Sequence, residues 1–253
     1  MTFQMKRSEV RLGGYYAVTV YHLYLDQSMQ DDSLGIEPSS YRKELLNILK
    51  RETQWLSSQS KTLTSQELLS SPRIRYQRTN YKYTLPARIF DDISVCKLRG
   101  KYNLYKYSQE RDLRLSYERE TDINFGEKKT LEIYFNFGDW AKIIGVPDGL
   151  ISNLAIEFTI TRSEDFPRYL LMRSVIYSYM CMQDHIICST LIVPTTPPIF
   201  EDQPLFGYLV IPNGRVLDYI ADQLQRIVNG RVEGRRNKFC PSCIYKRICP
   251  EWM

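Results

Sequence analysis

Residues 145–160 read Gly145-Val-Pro-Asp148-Gly-Leu-Ile-Ser-Asn-Leu154-Ala-Ile-Glu157-Phe-Thr159-Ile160. Pro147-Asp148-Gly149 is a turn signal in any chain, because proline presets φ and glycine accepts positive φ. The apolar, β-branched stretches around it predict two short strands, over 143–151 and 154–160. In the second, strand alternation puts Glu157 and Thr159 on one face. Two more strands, over 113–125 and 131–137, are expected upstream.

Downstream, Phe166–Met182 predicts a helix with Leu170, Leu171, Val175 and Tyr179 along one stripe. His185–Val193 is continuously apolar, as in a strand buried on both faces. The prolines between 194 and 198 break the chain, and 206–211 reads as another strand. A last helix should start at the N-cap Asn213 and stop at Asn229-Gly230, with Val216, Leu217, Ile220, Leu224, Ile227 and Val228 facing the core. This order of strands and helices is that of an α/β domain. In the N-terminal part, Tyr15–Leu25 fits a strand or a buried helix. Tyr41–Leu56 fits a helix with Leu45, Leu46, Leu49 and Trp55 on one face, and the Ser-, Thr- and Gln-rich 57–71 reads as a linker with a short helical piece. Residues 73–83 interleave Arg73, Arg75, Arg78 and Lys82 with Tyr76, Tyr81 and Tyr83. That mixture suits an exposed, charged strand, or base stacking beside phosphate neutralisation.

The 253 residues are 43% hydrophobic and 25% charged, the composition of a folded globular chain, not of a membrane span, a disordered tail or a collagen-like fibre. Met1–Arg7 has no apolar stretch behind its charges, so a secretory signal is not expected and an intracellular location is: cytoplasmic, or nucleoid or nuclear. The 34 Lys and Arg against 29 Asp and Glu leave only +5, but the excess is local. Between residues 226 and 247 stand Arg226, Arg231, Arg235, Arg236, Lys238, Lys246 and Arg247 against the single acid Glu233. Such a stretch attracts a phosphate backbone or is simply a solvated surface.

Three of the six cysteines, Cys240, Cys243 and Cys249, fall within ten residues as C-x2-C-x5-C. Three thiolates so close can take three corners of one metal site, leaving the fourth to another segment. Cys96, in a polar and basic setting, is the best candidate. Cys181 and Cys188 lie in apolar segments and are expected to be buried as small hydrophobes. A three-plus-one arrangement favours a 4Fe–4S cluster over zinc, whose structural sites usually pair ligands two and two.

A cysteine followed by a basic and aromatic stretch (Cys96-Lys-Leu-Arg99-Gly-Lys101-Tyr), then an α/β core, then C-x2-C-x5-C resembles the iron–sulfur branch of RecB-type nucleases. That branch includes the CRISPR-associated exonuclease of spacer acquisition, the AddB nuclease domain and eukaryotic exonuclease V. The resemblance covers about residues 87 to 250. It implies a restriction-endonuclease-like PD-(D/E)XK fold, a mixed sheet flanked by helices, over 87–253. A C-terminal iron–sulfur clamp is implied as well, behind an N-terminal extension over 1–86 that would serve as a partner or nucleic-acid surface. Gly145–Ile151 matches the motif of the first aspartate, Asp148, and Leu154–Ile160 that of the second carboxylate, Glu157; both would hold magnesium or manganese. The motif's lysine is Thr159 here. The following helix carries Arg173 and Tyr177 where the family has Gln and Tyr, and Arg162 or Arg173 would be left to supply the missing charge. The family's histidine ligand has no counterpart in His22 or His185. Arg99, Lys101, Arg231, Arg235, Arg236 and Lys238 are the expected phosphate contacts. The functional expectation is therefore a DNA nuclease of CRISPR adaptation or repair. Its alternatives are an inactive nuclease-fold subunit that binds nucleic acid or a protein partner, and a zinc-stabilised binding protein.

Overall fold

The computed structural model describes residues 3–25, 38–64, 71–109, 129–160, 165–182, 187–195 and 205–252. In chain order the elements are β1 (Phe3–Leu12), β2 (Tyr16–Leu25), α1 (Pro38–Leu63), β3 (Ile74–Arg75), β4 (Tyr83–Pro86), α2 (Ile89–Val95) and α3 (Lys97–Gln109). There follow β5 (Leu131–Asn136), β6 (Trp140–Gly145), β7 (Gly149–Ile151), β8 (Leu154–Thr159), α4 (Leu171–Cys181), β9 (Ser189–Pro194), β10 (Leu205–Val210) and α5 (Gly214–Val228).

They form a mixed α/β architecture with two sheets flanked by helices. One sheet has the order β1-β2-β10-β9-β8-β7, the other β3-β5-β6-β4. Both are mixed: β8 runs parallel to β9 and β4 parallel to β6, while the other pairs are antiparallel. The alternation of β8 and β9 separates two cores. Leu154, Ile156, Leu191 and Val193 pack with Leu45, Leu49 and Leu56 of α1. On the opposite face, Ala155 and Ile192 join the core formed with α4, α5 and the smaller sheet. All six residues of β9 are buried, as its unbroken apolar run predicts. Residues 1–86 supply β1 and β2, which extend the larger sheet through β10, and β4, which pairs with β6.

Two sequence expectations change. The strand expected over 143–151 is two strands: Val146-Pro147-Asp148 lies between β6, in the smaller sheet, and β7, in the larger one. The expected linker 57–71 begins as helix, because α1 runs on to Leu63. Three of its polar residues face inward there: Ser60 Oγ donates to Ser189 Oγ at 2.8 Å, Thr64 Oγ1 to the Ser60 carbonyl at 2.7 Å, and Ser57 bonds Asn153. Tyr16–Leu25 is a strand. The strand expected over 113–125 lies outside the described residues, as do His185 and Arg162. No helix among the described residues is long and apolar enough to cross a membrane.

Candidate functional site: a carboxylate cluster beside a cysteine-lined cavity

The link between the sheets carries Asp148. Its Oδ2 accepts from the Phe158 backbone N–H at 2.8 Å, which ties the turn to the far end of β8. Glu157, on that strand, is 5% exposed and faces α4. From α4, Arg173 reaches across: one guanidinium nitrogen lies 2.9 Å from Glu157 Oε2 and another 3.1 Å from Asp91 Oδ2 on α2. One turn further, Tyr177 donates from its hydroxyl to the Val146 carbonyl at 3.3 Å, with the Arg173 guanidinium 5.9 Å from its ring. Gly145 is required where Tyr177 packs, since a Cβ there would lie 2.6 Å from Tyr177 Cε1. Asp148, Glu157, Arg173 and Tyr177, all picked out from sequence, are thus gathered at one place.

Asp91 is a third carboxylate in this cluster and was not foreseen. A lone Asp91-Asp92 pair in a short segment has no motif spacing to flag it. The two aspartates diverge: Asp92 is buried and accepts from Arg99 Nε and Asn103 Nδ2, both at 2.7 Å, whereas Asp91 turns to Arg173. Asp91 Oδ1 and Arg173 Nε are buried with no hydrogen-bond partner. Burial pushes the Glu157 carboxyl up to about 8; Arg173 opposes that shift, and Asp148 and Asp91 add to it. Burial likewise raises Asp91 to about 7 against the pull of Arg173. Burial disfavours the charge on Arg173, but Asp91 and Glu157 overcome it and hold the guanidinium protonated. Thr159 Oγ1 stands 3.2 Å from the Tyr169 hydroxyl, so the face that would need an ammonium holds two hydroxyls instead. His22 is remote from this cluster in its bonding, its Nε2 being 2.8 Å from Ser8 Oγ across the β1–β2 pair.

Cys96, Cys240, Cys243 and Cys249 line a single cavity of about 30 Å³, together with Val95, Leu98, Arg99, Tyr102, Tyr245 and Trp252. Cys96 lies at the α2–α3 junction, where its N–H donates to the Asp92 carbonyl at 2.9 Å. The tail reaches it by specific contacts. Asn237 Nδ2 donates to the Val95 carbonyl at 2.9 Å, and Tyr245 donates to Asn103 Oδ1. The tail then folds in tight turns, Cys243 N–H to the Cys240 carbonyl and Lys246 N–H to the Cys243 carbonyl, both at 3.1 Å. The Asn237 backbone N–H points at Cys240 Sγ, 3.2 Å away. Burial, then the nearby Cys249, Cys96 and Cys243, push the Tyr102 hydroxyl above its ordinary value. The four thiols are a donor set suited to a thiolate-bound group. Among the described residues no three His, Cys, Asp or Glu side chains are grouped as a site for a single metal ion. Cys181 and Cys188 stand apart from this cavity. Cys188 is buried and Cys181 half-buried, and Cys188 Sγ donates to the Cys181 carbonyl at 3.1 Å.

A polar groove of about 1190 Å³ adjoins the cavity and shares Val95, Cys96, Arg235, Arg236 and Asn237 with it. Lys97, Arg168, Arg226 and Arg231 also line it, with Glu233 the only acid. Tyr169 and Met172 form part of its wall, which brings the groove to the residue next to Arg173. Of the expected phosphate contacts, Arg231, Arg235 and Arg236 are in this groove. Arg99 is instead paired with Asp92, and Lys238 lies 5.4 Å from the Phe239 ring. Lys101, on α3, is not among the groove's lining residues.

No family model and no curated protein matches this chain. Among solved structures it is similar to one titled "Crystal structure of SSO0001", at 18% identity and a TM-score of 0.42, covering 79% of this chain and 97% of that chain.

Proposed function

We propose that this chain is a nucleic-acid-binding protein of the RecB-like, iron–sulfur kind that holds DNA without cutting it, as a subunit of a larger nucleic-acid-processing complex such as one of CRISPR adaptation or repair. The observation that carries the reading is Arg173. Its guanidinium bonds Asp91 and Glu157 together, where a PD-(D/E)XK nuclease would use its carboxylates on magnesium or manganese. A guanidinium is permanently charged and is no proton acceptor at neutral pH, so it occupies the carboxyl oxygens of Asp91 and Glu157 without activating water. Thr159 adds no ammonium to orient an attacking hydroxide or steady a scissile phosphate.

In this reading Cys96, Cys240, Cys243 and Cys249 hold a 4Fe–4S cluster that clamps the tail to the α2–α3 junction. Support comes from the donor set, three thiols from the tail and one from residue 96 around one cavity. The cluster's part is structural, closing a loop of the chain as a bound metal does. Arg231, Arg235 and Arg236 then face a phosphate backbone from the groove beside it.

The test uses anaerobically purified protein with labelled single- and double-stranded DNA, in magnesium and in manganese. Salt-dependent DNA binding without cleavage is expected, from brown protein containing iron and acid-labile sulfide. Arg173→Gln should acquire stabilisation by manganese that Asp148→Ala removes. Cleavage by the unaltered protein that vanishes in the Asp148→Ala, Glu157→Ala double variant would overturn the non-cleaving reading. Colourless, zinc-loaded protein would overturn the cluster.

A further inference from the structure

The outer face of the smaller sheet carries a second set of basic and aromatic side chains, formed by the segment around residues 73–83 that its sequence pattern singled out. Arg75 on β3 is directly opposite Tyr134 on β5, Tyr134 opposite Lys142 on β6, and Lys142 opposite Thr84 on β4. Residues opposite one another share a face, so these four make one row across the whole sheet. Ile133, Phe135, Ala141, Ile143 and Leu85 alternate with them and face the core. Trp140, two residues before Lys142, shares the outer face.

The row is organised by ring contacts. The Arg75 guanidinium lies 4.7 Å from the Trp140 ring centroid. Tyr81 covers Tyr134 at 5.8 Å between centroids and remains 42% exposed itself. Lys142 is tied to Glu132 and Lys82 to Asp139, which leaves Arg75 as the exposed cation of the row that makes no ion pair among the described residues; Arg78, in the segment that joins β3 to β4, is exposed too and pairs with none of them. A guanidinium stacked on an indole presents its own flat face outward, and a half-exposed tyrosine does the same.

We propose that this face is a stacking platform for single-stranded nucleic acid. Tyr81 and the Arg75–Trp140 stack would receive bases, and Arg75 and Arg78 would meet phosphates. Flat rings at the surface beside guanidinium groups that make no ion pair among the described residues match a polyanion that carries its own planar rings. The platform is separate from the groove and would lengthen the bound stretch of strand. It rests on the nucleic-acid reading above, with its own residues and its own failure.

The experiment measures anisotropy of labelled oligothymidylates of increasing length, in low salt, with the full chain. Its variants are Arg75→Ala/Arg78→Ala/Tyr81→Ala on the platform and Arg231→Ala/Arg235→Ala in the groove, all at exposed positions. Platform loss should weaken binding of the longer strands roughly tenfold, leave the shortest unaffected, and be largely rescued when Tyr81→Phe takes the place of Tyr81→Ala. Strands bearing iodouracil should cross-link to Tyr81 or Trp140. Unchanged binding at every length by the platform variant, with loss in the groove variant, would overturn the platform and leave the earlier reading standing. Failure of the unaltered protein to bind any oligonucleotide would overturn both. Displacement of the strand by polyglutamate at equal charge would also overturn the platform, since it would mean a surface that takes any polyanion.

Discussion

At the scale of single residues, the site is defined by one cation among three carboxylates. Arg173 touches Asp91 and Glu157, while Asp148 is held by the Phe158 amide. Removing one partner of such a buried pair typically costs about 3–5 kcal/mol, because the remaining charge is left without compensation. The pH dependence follows from the raised carboxyls. Glu157 titrates near 8 in the folded chain against an ordinary value of 4.5, and Asp91 near 7 against 3.8. Below the ordinary values both groups are protonated in the folded and the unfolded chain, and their contribution is fully present. Between these values and 7 or 8 the folded chain binds more protons than the unfolded one, so stability falls as pH rises. Urea midpoints taken across that window should decline, and Glu157→Gln should flatten the decline. A slope the same in both proteins would show that Glu157 does not carry it. The resemblance to RecB-type nucleases marked Glu157, Asp148, Arg173 and Tyr177 through that family's motifs. It did not mark Asp91, which joins them only because α2 packs beside α4.

At the scale of elements, local chemistry was most legible where a helix has explicit ends. Asn213 caps α5 by accepting from the Arg215 amide at 3.0 Å, and Gly230 beyond its C-terminus has φ 71°. The Asn213 amide group also donates to the Ala17 carbonyl on β2 at 3.0 Å, so the cap joins the helix to the larger sheet. Asn213→Ala should cost about 1 kcal/mol, or slightly more for the lost link to β2, read as a shift in denaturation midpoint. A neutral substitution would mean that the cap bonds are replaced by water without loss. The ends of α1 were less legible. Serine and threonine favour turns in isolation, yet Ser57, Ser60 and Thr64 continue or flank this helix because Asn153 and Ser189 meet their hydroxyls. The split of 143–151 has a similar origin: proline within a strand-like run marks a break, but not that the two pieces enter different sheets.

At the scale of the whole molecule, the tail closes the chain on itself. Contacts from Asn237 and Tyr245 to Val95 and Asn103 span more than 140 residues, and a thiolate-bound cluster at Cys96 would fasten the same junction covalently. Cys240→Ala should lower the iron content, loosen the tail and reduce DNA binding through Arg231, Arg235 and Arg236. A loss of about 2 kcal/mol would lower Tm by roughly 4–8 °C in a chain of this size. Unchanged Tm and metal content in that variant would overturn the clamp.

By itself the sequence determined the features that depend on near neighbours. These are the α/β order, the doubly buried β9, the limits of α5, the C-x2-C-x5-C tail and the turn at Asp148. Each rests on periodicity, capping or turn chemistry, which act over a few residues. The tertiary structure alone decided which distant groups meet. It set Arg173 between Asp91 and Glu157, drew Cys96 to the tail's cavity, turned Ser57 and Ser60 of α1 inward, and lined Arg75, Tyr134 and Lys142 across one sheet face. The reason is physical: an ion pair, a hydrogen bond or a cross-strand contact depends on distance in space, and packing of the two cores sets those distances.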